Sequence, residues 1–579
     1  MKVLYRGFLS LIVFLLFLTP AMAQNEKTTL RVGISNQGFS TYEHKNADFI
    51  SPDNMLIVDM VSNSKAEVKA DVPVSIEISD WNFKISMDND VLVEGVRGPI
   101  VLTSKEKIGI VNLNRKGTPA YYSGLIELVP VKADKFNIVN VLDVQTYLKG
   151  VVPNEMPVSF GLEALKAQAV AARNYANRPQ STYKNYDICD STACQVYYGI
   201  NSQKEISDRA VDETKGIFAL YNNEPILALY SSTAGGITED WKNVYAYNQP
   251  NTPSKPYLTS ICDDKNQKFL TSEEEVREFY SNKTLSYDIK SPRYRWQIEW
   301  ETGELEEVLN KTLFEQSRAG LVEPKFDGTY KLEGLKDIKV LKRGNSGKAL
   351  EIEISFKNGT FKVMRELGIR RVLKKNNSML ASGNFFVDKI SEKKAEEEFE
   401  KEDKDSQKSE SKAIFSFEKI LHHDHDDKKT EKFVITGGGF GHGVGMSQYG
   451  AGYMAQNGKT FDEILKHYYS SITLGTMEKE VLYNPYGIQY KTGFYYPANS
   501  KQKVLLKVKN PKRASGIEFK INGKEFDSDM SKYSAKTLGM DITKYVTEGV
   551  NEIVFSPLSE KDKTKSITFQ IEIGSTIDK

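Results

Sequence analysis

The chain has 579 residues, 40% of them hydrophobic and 27% charged, a balance typical of folded globular proteins. Basic and acidic residues number 78 and 77, and the net charge of +1 argues against a dedicated nucleic-acid-binding protein. The three cysteines, Cys189, Cys194 and Cys262, are too few for a scaffold held by disulfides, so stability must come from ordinary burial. The length allows about two to four domains.

Residues 1–23 have the features of a signal peptide. Lys2 and Arg6 provide a positive start, an apolar run extends from Phe8 to Leu18, and Ala21-Met-Ala23 supplies the small residues of a cleavage site. The apolar run is shorter than the about 20 residues that a bilayer span requires. We therefore predict cleavage after Ala23 and export to the cell exterior or wall; an uncleaved membrane anchor is the alternative.

Residues 28–130 are predicted to form the β-rich first part of the core, because apolar and polar residues alternate as they do in half-buried strands. Val74-Ser-Ile-Glu-Ile and Leu125-Ile-Glu-Leu-Val show this period of two most clearly. After Pro153 the pattern changes. The segment from Leu162 to Ala176 is rich in Ala, Leu, Lys, Gln and Arg without Gly or Pro, so it predicts a helix.

Residues 131–390 are predicted to form the catalytic core, with further strands in its second half. Short strands are predicted from Pro225 to Leu229 and from Trp296 to Trp300. The alternation from Lys348 to Val363, with Asn358-Gly359 in its middle, predicts a hairpin with a tight turn.

Residues 391–430 are predicted to be a charged insertion. Residues 391–412 are a run of Glu, Lys, Asp and Ser with almost nothing to bury, which indicates a solvated helix or a disordered insertion. Residues 431–480 complete the core with a strand, a glycine-rich loop and a helix from Phe461 to Tyr469. Residues 490–579 alternate again and predict a small, independent β-sandwich. The predicted fold class is α+β: a strand-rich core split by the insertion, an amphipathic helix after the candidate catalytic loop, and the C-terminal sandwich.

The first motif that can carry chemistry is Tyr147-Leu-Lys-Gly-Val-Val-Pro-Asn-Glu-Met-Pro157, which leads into the predicted helix. Two prolines stiffen the backbone around Glu155. Its apolar neighbours Val151, Val152 and Met156 favour a raised carboxyl pKa, as a general acid requires. The plainer interpretation is a surface glutamate near a helix start, where its charge favours the helix dipole.

The second motif is Gly437-Gly-Gly-Phe-Gly-His-Gly-Val-Gly-Met-Ser-Gln-Tyr-Gly-Ala451. Its spacing resembles that of a dinucleotide-binding loop, but no βαβ unit surrounds it, and it lacks the Gly-Lys-Ser/Thr ending of a phosphate-binding loop. The glycines instead allow the backbone to approach another group closely, while His442, Ser447 and Gln448 offer hydrogen-bonding groups. A purely structural turn is the alternative.

The third motif, Tyr230-Ser-Ser-Thr-Ala-Gly-Gly-Ile-Thr-Glu239, places small hydroxyl groups beside Gly235 and Gly236. Such a segment can line a site for a polyhydroxylated ligand. A serine nucleophile at Ser231 or Ser232 is disfavoured, because the G-x-S-x-G elbow is absent.

Two segments raise the question of a metal. Cys189 and Cys194 are spaced to hold half of a zinc site or to close a small disulfide loop, and no histidine lies near them in sequence. The run His422-His-Asp-His425 lies in the charged insertion, where incidental metal binding is the simpler interpretation. We predict neither a metal site nor a cofactor.

Together these segments resemble the stage II sporulation protein D and amidase-enhancer family. The resemblance rests on YLKGVVPNEMP, EALKAQAVAARNYA, CQVYYG, SSTAGG and GGGFGHGVGMSQYGAGYMAQNGKTFDEILKHYY, which occur in the family's order over about residues 120–475. It implies a lytic transglycosylase that cleaves peptidoglycan glycan strands stripped of their stem peptides. The family's catalytic glutamate corresponds to Glu155.

The resemblance also implies where glycan would bind. The residues expected to contact it lie in the shared motifs: Arg173, Gln195, Tyr197, Ser231, Ser232, Gly235, Gly236, His442, Ser447, Gln448 and Tyr449. Some members of the family bind zinc near the CQVY segment. Ala193 stands where a histidine would precede Cys194, which argues against zinc in this chain.

A single carboxylate suits this chemistry. Hydrolysing glycosidases generally use two carboxylates, whereas a lytic transglycosylase can use one, first as an acid and then as a base. The alternatives are a non-catalytic wall-binding protein that enhances an amidase, and a structural or adhesive surface protein. The expected partners are glycan strands and an amidase or another wall-remodelling protein, without nucleic acid. In a spore-forming host the expected location is the space between the two membranes around the forespore.

Overall fold

The computed structural model describes residues 29–88, 90–178, 182–264, 266–283, 285–391, 431–477, 479–482, 490–496, 502–509, 511, 517–526, 536–557 and 566–574. The predicted signal peptide, residues 1–23, and almost all of the predicted charged insertion, residues 391–430, lie outside these ranges. Within them, no helix is long and apolar enough to span a lipid bilayer.

The first part of the chain forms two sheets. Their strands, with β13 from later in the chain, are β1 (Thr29–Ile34), β2 (Asn46–Ile50), β3 (Met55–Asp59), β4 (Lys65–Val68), β5 (Val74–Ser79), β6 (Asn82–Met87), β7 (Asp90–Val96), β8 (Ile100–Ser104), β9 (Ile108–Ile110), β10 (Ala120–Tyr122), β11 (Leu125–Lys132), β12 (Lys135–Asp143) and β13 (Ile188–Cys189). One sheet has the order β13-β1-β12-β11-β8-β3-β4 and the other β10-β9-β2-β5-β6-β7. Buried and exposed residues alternate along β5, as predicted. Phe83 of β6 and Phe136 of β12 pack with ring centroids 5.5 Å apart, which joins the two sheets in one core.

The helices of the described residues lie mainly after β12. They are α1 (Val144–Lys149), α2 (Val152–Glu155), α3 (Leu162–Asn177), α4 (Glu205–Asp212), α5 (Trp241–Tyr245), α6 (Glu273–Ser281), α7 (Thr302–Arg318), α8 (Glu366–Val372), α9 (Gln448–Gln456) and α10 (Phe461–Tyr468). The predicted helices at α3 and α10 are confirmed. Helix α3 is buried along nearly its whole length because α4, α9, α10 and α2 all pack against it.

The middle of the chain adds a second hydrophobic core. Its strands are β14 (Phe218–Tyr221), β15 (Glu224–Pro225), β16 (Tyr230–Ser231), β17 (Trp296–Glu301), β18 (Val322–Glu323), β19 (Asp337–Arg343), β20 (Ala349–Ser355), β21 (Thr360–Met364), β22 (Phe385–Ser391), β23 (Glu431–Gly437), β24 (Met446–Ser447) and β25 (Thr473–Gly475). The sheets β18-β21-β20-β19 and β17-β23-β22, with α7 and α8, enclose apolar residues around Trp300.

Two predicted features of this region are confirmed and one is wrong. Strand β17 occupies the predicted position, and β20 and β21 form the predicted hairpin, in which the Phe356 N–H bonds to the Gly359 carbonyl. The strand predicted from Pro225 to Leu229 ends at Pro225. There the chain turns back, and the Leu229 N–H bonds to the Leu227 carbonyl instead of to a neighbouring strand.

The C-terminal strands form two sheets, but they are not independent of the core. They are β26 (Lys479–Leu482), β27 (Tyr490–Tyr496), β28 (Val504–Lys509), β29 (Ile517–Ile521), β30 (Lys524–Phe526), β31 (Thr537–Asp541), β32 (Gly549–Pro557) and β33 (Ser566–Ile573). One sheet is β27-β32-β29-β30; the other is β15-β14-β25-β33-β28-β31, with β26 also paired to β33. Because β14 and β25 belong to the core, the predicted independence is wrong. The predicted α+β class is confirmed.

Candidate active site

Glu155 is the last residue of α2, a single turn bracketed by prolines. Pro153 lies in the first turn, where the N–H that proline lacks would have no partner within the helix. Met156 then leaves the helix in an extended conformation ahead of Pro157. Val152 and Met156 are both buried, so α2 is fixed to the core on either side of the glutamate. The backbone that carries Glu155 is therefore held from both ends.

The Glu155 carboxylate lies in a largely desolvated place and accepts one short hydrogen bond. The Val196 N–H donates to its Oε1 over 2.5 Å. Burial raises the pKa of Glu155 to about 7, and hydrogen bonding from Val196 and Gln448 opposes this rise. Within the part of the chain that the structure describes, no Asp or Glu is among the groups that shift this pKa. Near neutral pH the carboxyl can therefore either donate or accept a proton.

Tyrosine hydroxyls lie within the electrostatic field of Glu155. The Tyr147 hydroxyl donates to Gln195 Oε1 over 3.2 Å, and Gln195 Nε2 donates to the Tyr230 hydroxyl over 2.9 Å. Burial, and after it the charge of Glu155, raises the pKa of both Tyr147 and Tyr230. Burial also raises the pKa of Tyr175, with Glu155 as a smaller cause. These hydroxyls therefore stay protonated and neutral beside the carboxyl.

Two of the sequence motifs meet at the parallel pair β16 and β24. Tyr230 pairs with Met446 and Ser231 with Ser447. Gly445 has a φ of +74°, and a Cβ at this position would clash with the carbonyl oxygen of Leu229. The glycine-rich motif can lie this close to the serine motif because that side chain is missing.

His442, in the glycine-rich motif, contacts Val444 and Tyr245. Its Nδ1 accepts the Val444 N–H over 3.0 Å, and its ring packs edge-on against Tyr245 with centroids 5.6 Å apart. Burial, followed by the charge of Lys348, lowers the pKa of His442 to about 3, and a hydrogen bond to the Tyr230 backbone opposes this lowering. The ring is therefore neutral, with Nδ1 as the acceptor and the proton assigned to Nε2.

Helix α9 connects the glycine-rich motif to the glutamate. Gln448 Nε2 donates to the backbone carbonyl of Glu155 over 2.7 Å. The Tyr449 N–H donates to the Ser232 carbonyl over 3.1 Å, and the Tyr449 ring packs against Phe160 with centroids 4.9 Å apart. The predicted site residues that the structure brings together are Glu155, Gln195, Ser232, His442, Gln448 and Tyr449.

Comparison with known proteins identifies the relatives of this chain. The model of the stage II sporulation protein family matches residues 132–221, and a domain of unknown function matches residues 245–402. The chain is 26% identical to the stage II sporulation protein D of Bacillus subtilis (strain 168) over 376 residues, which cover 62% of this chain and 81% of that protein. It is 27% identical to the Bacillus amyloliquefaciens protein of the same name over 365 residues, 60% of this chain and 78% of that one.

The amidase enhancer of Bacillus subtilis (strain 168) is 30% identical over 338 residues, which cover 56% of this chain and 40% of the enhancer. The chain is thus similar, over its family segment and beyond it, to stage II sporulation protein D and to the amidase enhancer. It spans well under half the length of the amidase enhancer itself. The family segment at residues 132–221 holds Glu155, Val196 and the intervening helix α3, whereas the glycine-rich motif lies beyond it.

Two residues predicted to contact glycan are used inside the core. Arg173 is fully buried, and its guanidinium donates to the carbonyl oxygens of Ile217 over 3.0 Å and Val211 over 3.3 Å. Tyr197 is also buried and donates to Asn140 Oδ1 over 2.8 Å. Glycan-binding roles for Arg173 and Tyr197 stay predictions, and both side chains hydrogen-bond inside the core in this structure.

Four further predicted contacts stabilise the junction of the two motifs instead of facing an opening. Ser231 Oγ accepts an N–H of the glycine-rich loop over 3.2 Å. Ser447 caps α9, and its hydroxyl donates to Asp288 Oδ2 over 3.2 Å; the Gly235 N–H donates to the same oxygen over 2.9 Å. Gly235 and Gly236 are buried with positive φ. The direct glycan contacts predicted for these residues stay predictions, and each residue is buried at this junction in the structure.

Several residues of the site carry no distinctive signal in the sequence. Tyr147 and Tyr230 stand at the beginning of two motifs, but only the fold shows that their hydroxyls converge on Gln195. Asp288 lies in no motif, although burial, followed by the charge of Asp263, raises the pKa of Asp288 to about 6. No pattern in the chain could have indicated that this aspartate holds Ser447.

The spacing of Cys189 and Cys194 allowed either half of a zinc site or a disulfide, and the structure shows the disulfide. Cys189 and Cys194 form a disulfide, and Cys262 is a free thiol. Among the residues that the structure describes, no three His, Cys, Asp or Glu side chains are grouped so as to hold a metal ion. The run from His422 to His425 lies outside the described residues.

Proposed function

We propose that this protein is a peptidoglycan lytic transglycosylase in which Glu155 is the general acid and then the general base. The observation that carries the proposal is one isolated and desolvated carboxyl with a pKa of about 7. Similarity to the stage II sporulation proteins supports a role related to the cell wall. A carboxyl with such a pKa is present in both protonation states near neutral pH, which suits a group that must give up a proton and recover it.

The reaction needs no other carboxylate. The protonated Glu155 donates its proton to the glycosidic oxygen, and the bond between that oxygen and C1 of the muramic acid residue breaks. The resulting Glu155 carboxylate removes the proton from the C6 hydroxyl of the same sugar. The C6 oxygen then bonds to C1 and closes a 1,6-anhydro ring. Glu155 ends protonated, and no water is consumed.

The surrounding groups support both steps. The Val196 N–H stabilises the carboxylate form that exists between the two proton transfers. Gln448 fixes the backbone of Glu155, so the carboxyl keeps its place as its charge changes. Ser232 and Tyr449 are partly exposed, are joined by a backbone hydrogen bond, and can hydrogen-bond to and pack on the sugar.

The second candidate function is a non-catalytic amidase enhancer. It is favoured by the 30% identity to a protein of that name. In that function the same site would hold glycan without cleaving it, and the partner would be an amidase. Export from a signal peptide cleaved after Ala23 remains a prediction in both cases.

Product analysis separates the candidates. Purified, peptide-stripped glycan strands are digested in water labelled with ¹⁸O, and the fragments are analysed by mass spectrometry. A lytic transglycosylase gives anhydro-muramic ends without label. Labelled reducing ends would identify a hydrolase and contradict the proposed mechanism. Intact glycan, together with stimulation of an added amidase, would place the enhancer function first.

A further inference from the structure

Asp288 hydrogen-bonds to two of the sequence motifs at the point where they meet. Its Oδ2 accepts the Gly235 N–H over 2.9 Å and the Ser447 hydroxyl over 3.2 Å. Ser447 is the N-cap residue of α9, and Gln448 beside it donates to the Glu155 carbonyl over 2.7 Å. Hydrogen bonds and one peptide bond therefore link Asp288 to the backbone of Glu155.

The other oxygen of Asp288 shares a serine hydroxyl with a second buried carboxyl. Ser286 Oγ lies 2.7 Å from Asp288 Oδ1 and 2.8 Å from Asp263 Oδ2. A serine hydroxyl has one hydrogen, so it can donate to only one of these two oxygens. The other contact is a hydrogen bond only if that carboxyl carries a proton and donates it to Ser286. The geometry therefore requires one extra proton between the two aspartates.

The remaining contacts place this proton on Asp288. Asp263 Oδ2 already accepts the Tyr287 N–H over 3.1 Å, and its Oδ1 faces His467 Nε2 over 3.3 Å. With the imidazole proton on Nε2, both oxygens of Asp263 are acceptors. Among the described residues, Ser286 is the one hydrogen-bond partner of Asp288 Oδ1. The acid proton of Asp288 therefore points to Ser286, whose own hydroxyl donates to the Asp263 carboxylate.

The titratable and charged side chains around the pair leave Asp288 without a counter-ion among the described residues. These side chains are His467 and Tyr468 of α10, Cys262, Asp264 and Arg295. His467 contacts Asp263, and Arg295 donates to backbone carbonyls, that of Gly235 among them. Burial raises the pKa of both Tyr468 and Cys262, so these two groups stay neutral. Burial, followed by the charge of Asp263, raises the pKa of Asp288 from 3.8 to about 6.

We infer that Asp288 is a positioning residue that works in its protonated form. The acid proton ties Asp288 to Ser286, while the second oxygen holds Ser447 and, through α9, the backbone of Glu155. Loss of the proton would leave two carboxylates on either side of one hydroxyl, and their repulsion would loosen this junction. The role toward Glu155 rests on the proposed function, whereas the shared proton does not.

Three substitutions separate a protonated acid from a side chain that only fills space. Asp288→Asn has the shape of the protonated acid, because its amide can donate to Ser286 and its oxygen can accept the two hydrogen bonds of Oδ2. Asp288→Ala removes all of these hydrogen bonds. Asp264→Asn is the matched control, the same change at the partly exposed carboxyl next to Asp263.

Urea unfolding at pH 4 and pH 8 tests the shared proton without glycan. Each variant is made in the Glu155→Gln protein, which removes the titration of Glu155 itself. Folding takes up a proton between the unfolded pKa of 3.8 and the folded pKa of about 6, so the parent loses stability as the pH rises through 6. Asp288→Asn should lose less, by up to about 100-fold in the folding equilibrium constant, since about two pKa units separate the states.

Asp264→Asn should lose as much stability as the parent over this pH range. The inference is overturned if Asp288→Asn also loses as much as the parent, or if it is as unstable as Asp288→Ala at pH 4. If Asp288→Ala does not fold, the comparison of Asp288→Asn with Asp264→Asn still decides.

Glycan cleavage by variants of the otherwise wild-type protein tests the positioning role. Asp288→Ala should lower kcat about tenfold, the effect of one or two lost hydrogen bonds. Asp288→Asn should restore most of this loss, and the alkaline limb of its pH–rate profile should lie at higher pH than that of wild type, because the amide has no proton to lose. Asp264→Asn should keep the wild-type profile. A limb at the wild-type pH in Asp288→Asn, or a kcat as low as that of Asp288→Ala, would overturn the role.

If the wild type cleaves no glycan, hydrogen exchange of the α9 amides replaces turnover. Asp288→Ala should expose these amides to exchange, and Asp288→Asn should keep them protected. Equal exchange in the two variants would overturn the positioning role, whereas the missing cleavage would reject only the proposed function.

Discussion

At the scale of single residues, Glu155 is held in a state that does not favour folding. Its carboxyl is removed from water, and the one backbone N–H that it receives does not restore an ordinary pKa. Isolated buried charges are unfavourable, and catalytic groups are a common reason for such charges in enzymes. Glu155 should therefore reduce the stability of the protein at the pH where it is ionised.

The pH dependence of stability tests this point. In the unfolded chain Glu155 has the ordinary pKa of 4.5, and in the folded chain a pKa of about 7. Folding therefore takes up a proton between these values, and stability is lost as the pH rises through 7. At pH 8, Glu155→Gln should have a higher free energy of unfolding than the wild type, and this gain should exceed the gain at pH 4. The difference should be up to about 3 kcal/mol, because one pKa unit corresponds to about 1.4 kcal/mol. Urea unfolding of wild type and variant at pH 4 and pH 8 measures this difference. An equal gain in stability at both pH values would contradict the raised pKa of Glu155.

The sequence identifies some of these residues and not others for a physical reason. The raised pKa of Glu155 follows from prolines and apolar residues next to it in the chain, so it could be predicted locally. The role of Arg173 depends on which carbonyls of the 211–217 segment lie opposite α3. That is a property of packing between distant segments, which a single sequence does not reveal.

At the scale of elements, the disulfide loop is tied to the candidate catalytic group. The Cys189–Cys194 bond closes a short loop, and Val196, two residues beyond it, donates to the Glu155 carboxylate. The Cys189 N–H also bonds to the Cys194 sulfur. Cys189 is also the last residue of β13, which pairs with β1 at the edge of the N-terminal sheet. The disulfide therefore fixes the position of the Val196 N–H relative to α2.

Opening this loop should weaken proton transfer. In the Cys189→Ser/Cys194→Ser variant we expect kcat to fall about tenfold, because a hydrogen bond to a charged group is worth about 1.5–3 kcal/mol. The alkaline limb of the pH–rate profile should move to higher pH, because the Val196 hydrogen bond lowers the pKa of Glu155. Cys262→Ser removes the free thiol and should change neither quantity. A double variant with the kcat and pH profile of wild type would show that the disulfide does not position Val196.

Elements with strong local patterns agree with the sequence, and those completed by distant partners do not. Helix α3 and the β20–β21 hairpin were predictable from propensity and from the Asn358-Gly359 turn. The C-terminal strands were predictable as strands. Their attachment to the core was not, because β33 pairs with β25 and β28 through hydrogen bonds that leave no mark in the alternation of side chains.

At the scale of the whole molecule, the predicted charged insertion leaves and re-enters the fold at one point. Strands β22 and β23 are antiparallel, and the last residue of β22, Ser391, pairs with the first residue of β23, Glu431. Residues 392–430 therefore connect two positions that a tight turn could also join. The ladder between the two strands continues from this pair to Phe385 and Gly437.

Replacing residues 392–430 by Asn-Gly should be tolerated. The two added residues can form a turn matched to the twist of a two-stranded ladder, while every pair from Ser391↔Glu431 to Phe385↔Gly437 is retained. We expect a midpoint of thermal unfolding within a few degrees of wild type, and unchanged glycan cleavage. The matched comparison replaces the β20–β21 turn residues Asn358-Gly359 by Ala-Ala, which should be less well tolerated. Insoluble protein after the deletion would show that the insertion contributes to the fold.

The most direct test of Glu155 as both acid and base is turnover of peptide-stripped glycan by Glu155→Gln. The amide keeps the shape and can accept the Val196 hydrogen bond, but it cannot transfer a proton. We expect kcat to fall by about 10²- to 10⁴-fold, with glycan affinity and fold retained. Glu205→Gln, at an exposed position in the first turn of α4, should be as active as wild type. Wild-type turnover by Glu155→Gln would contradict the assignment.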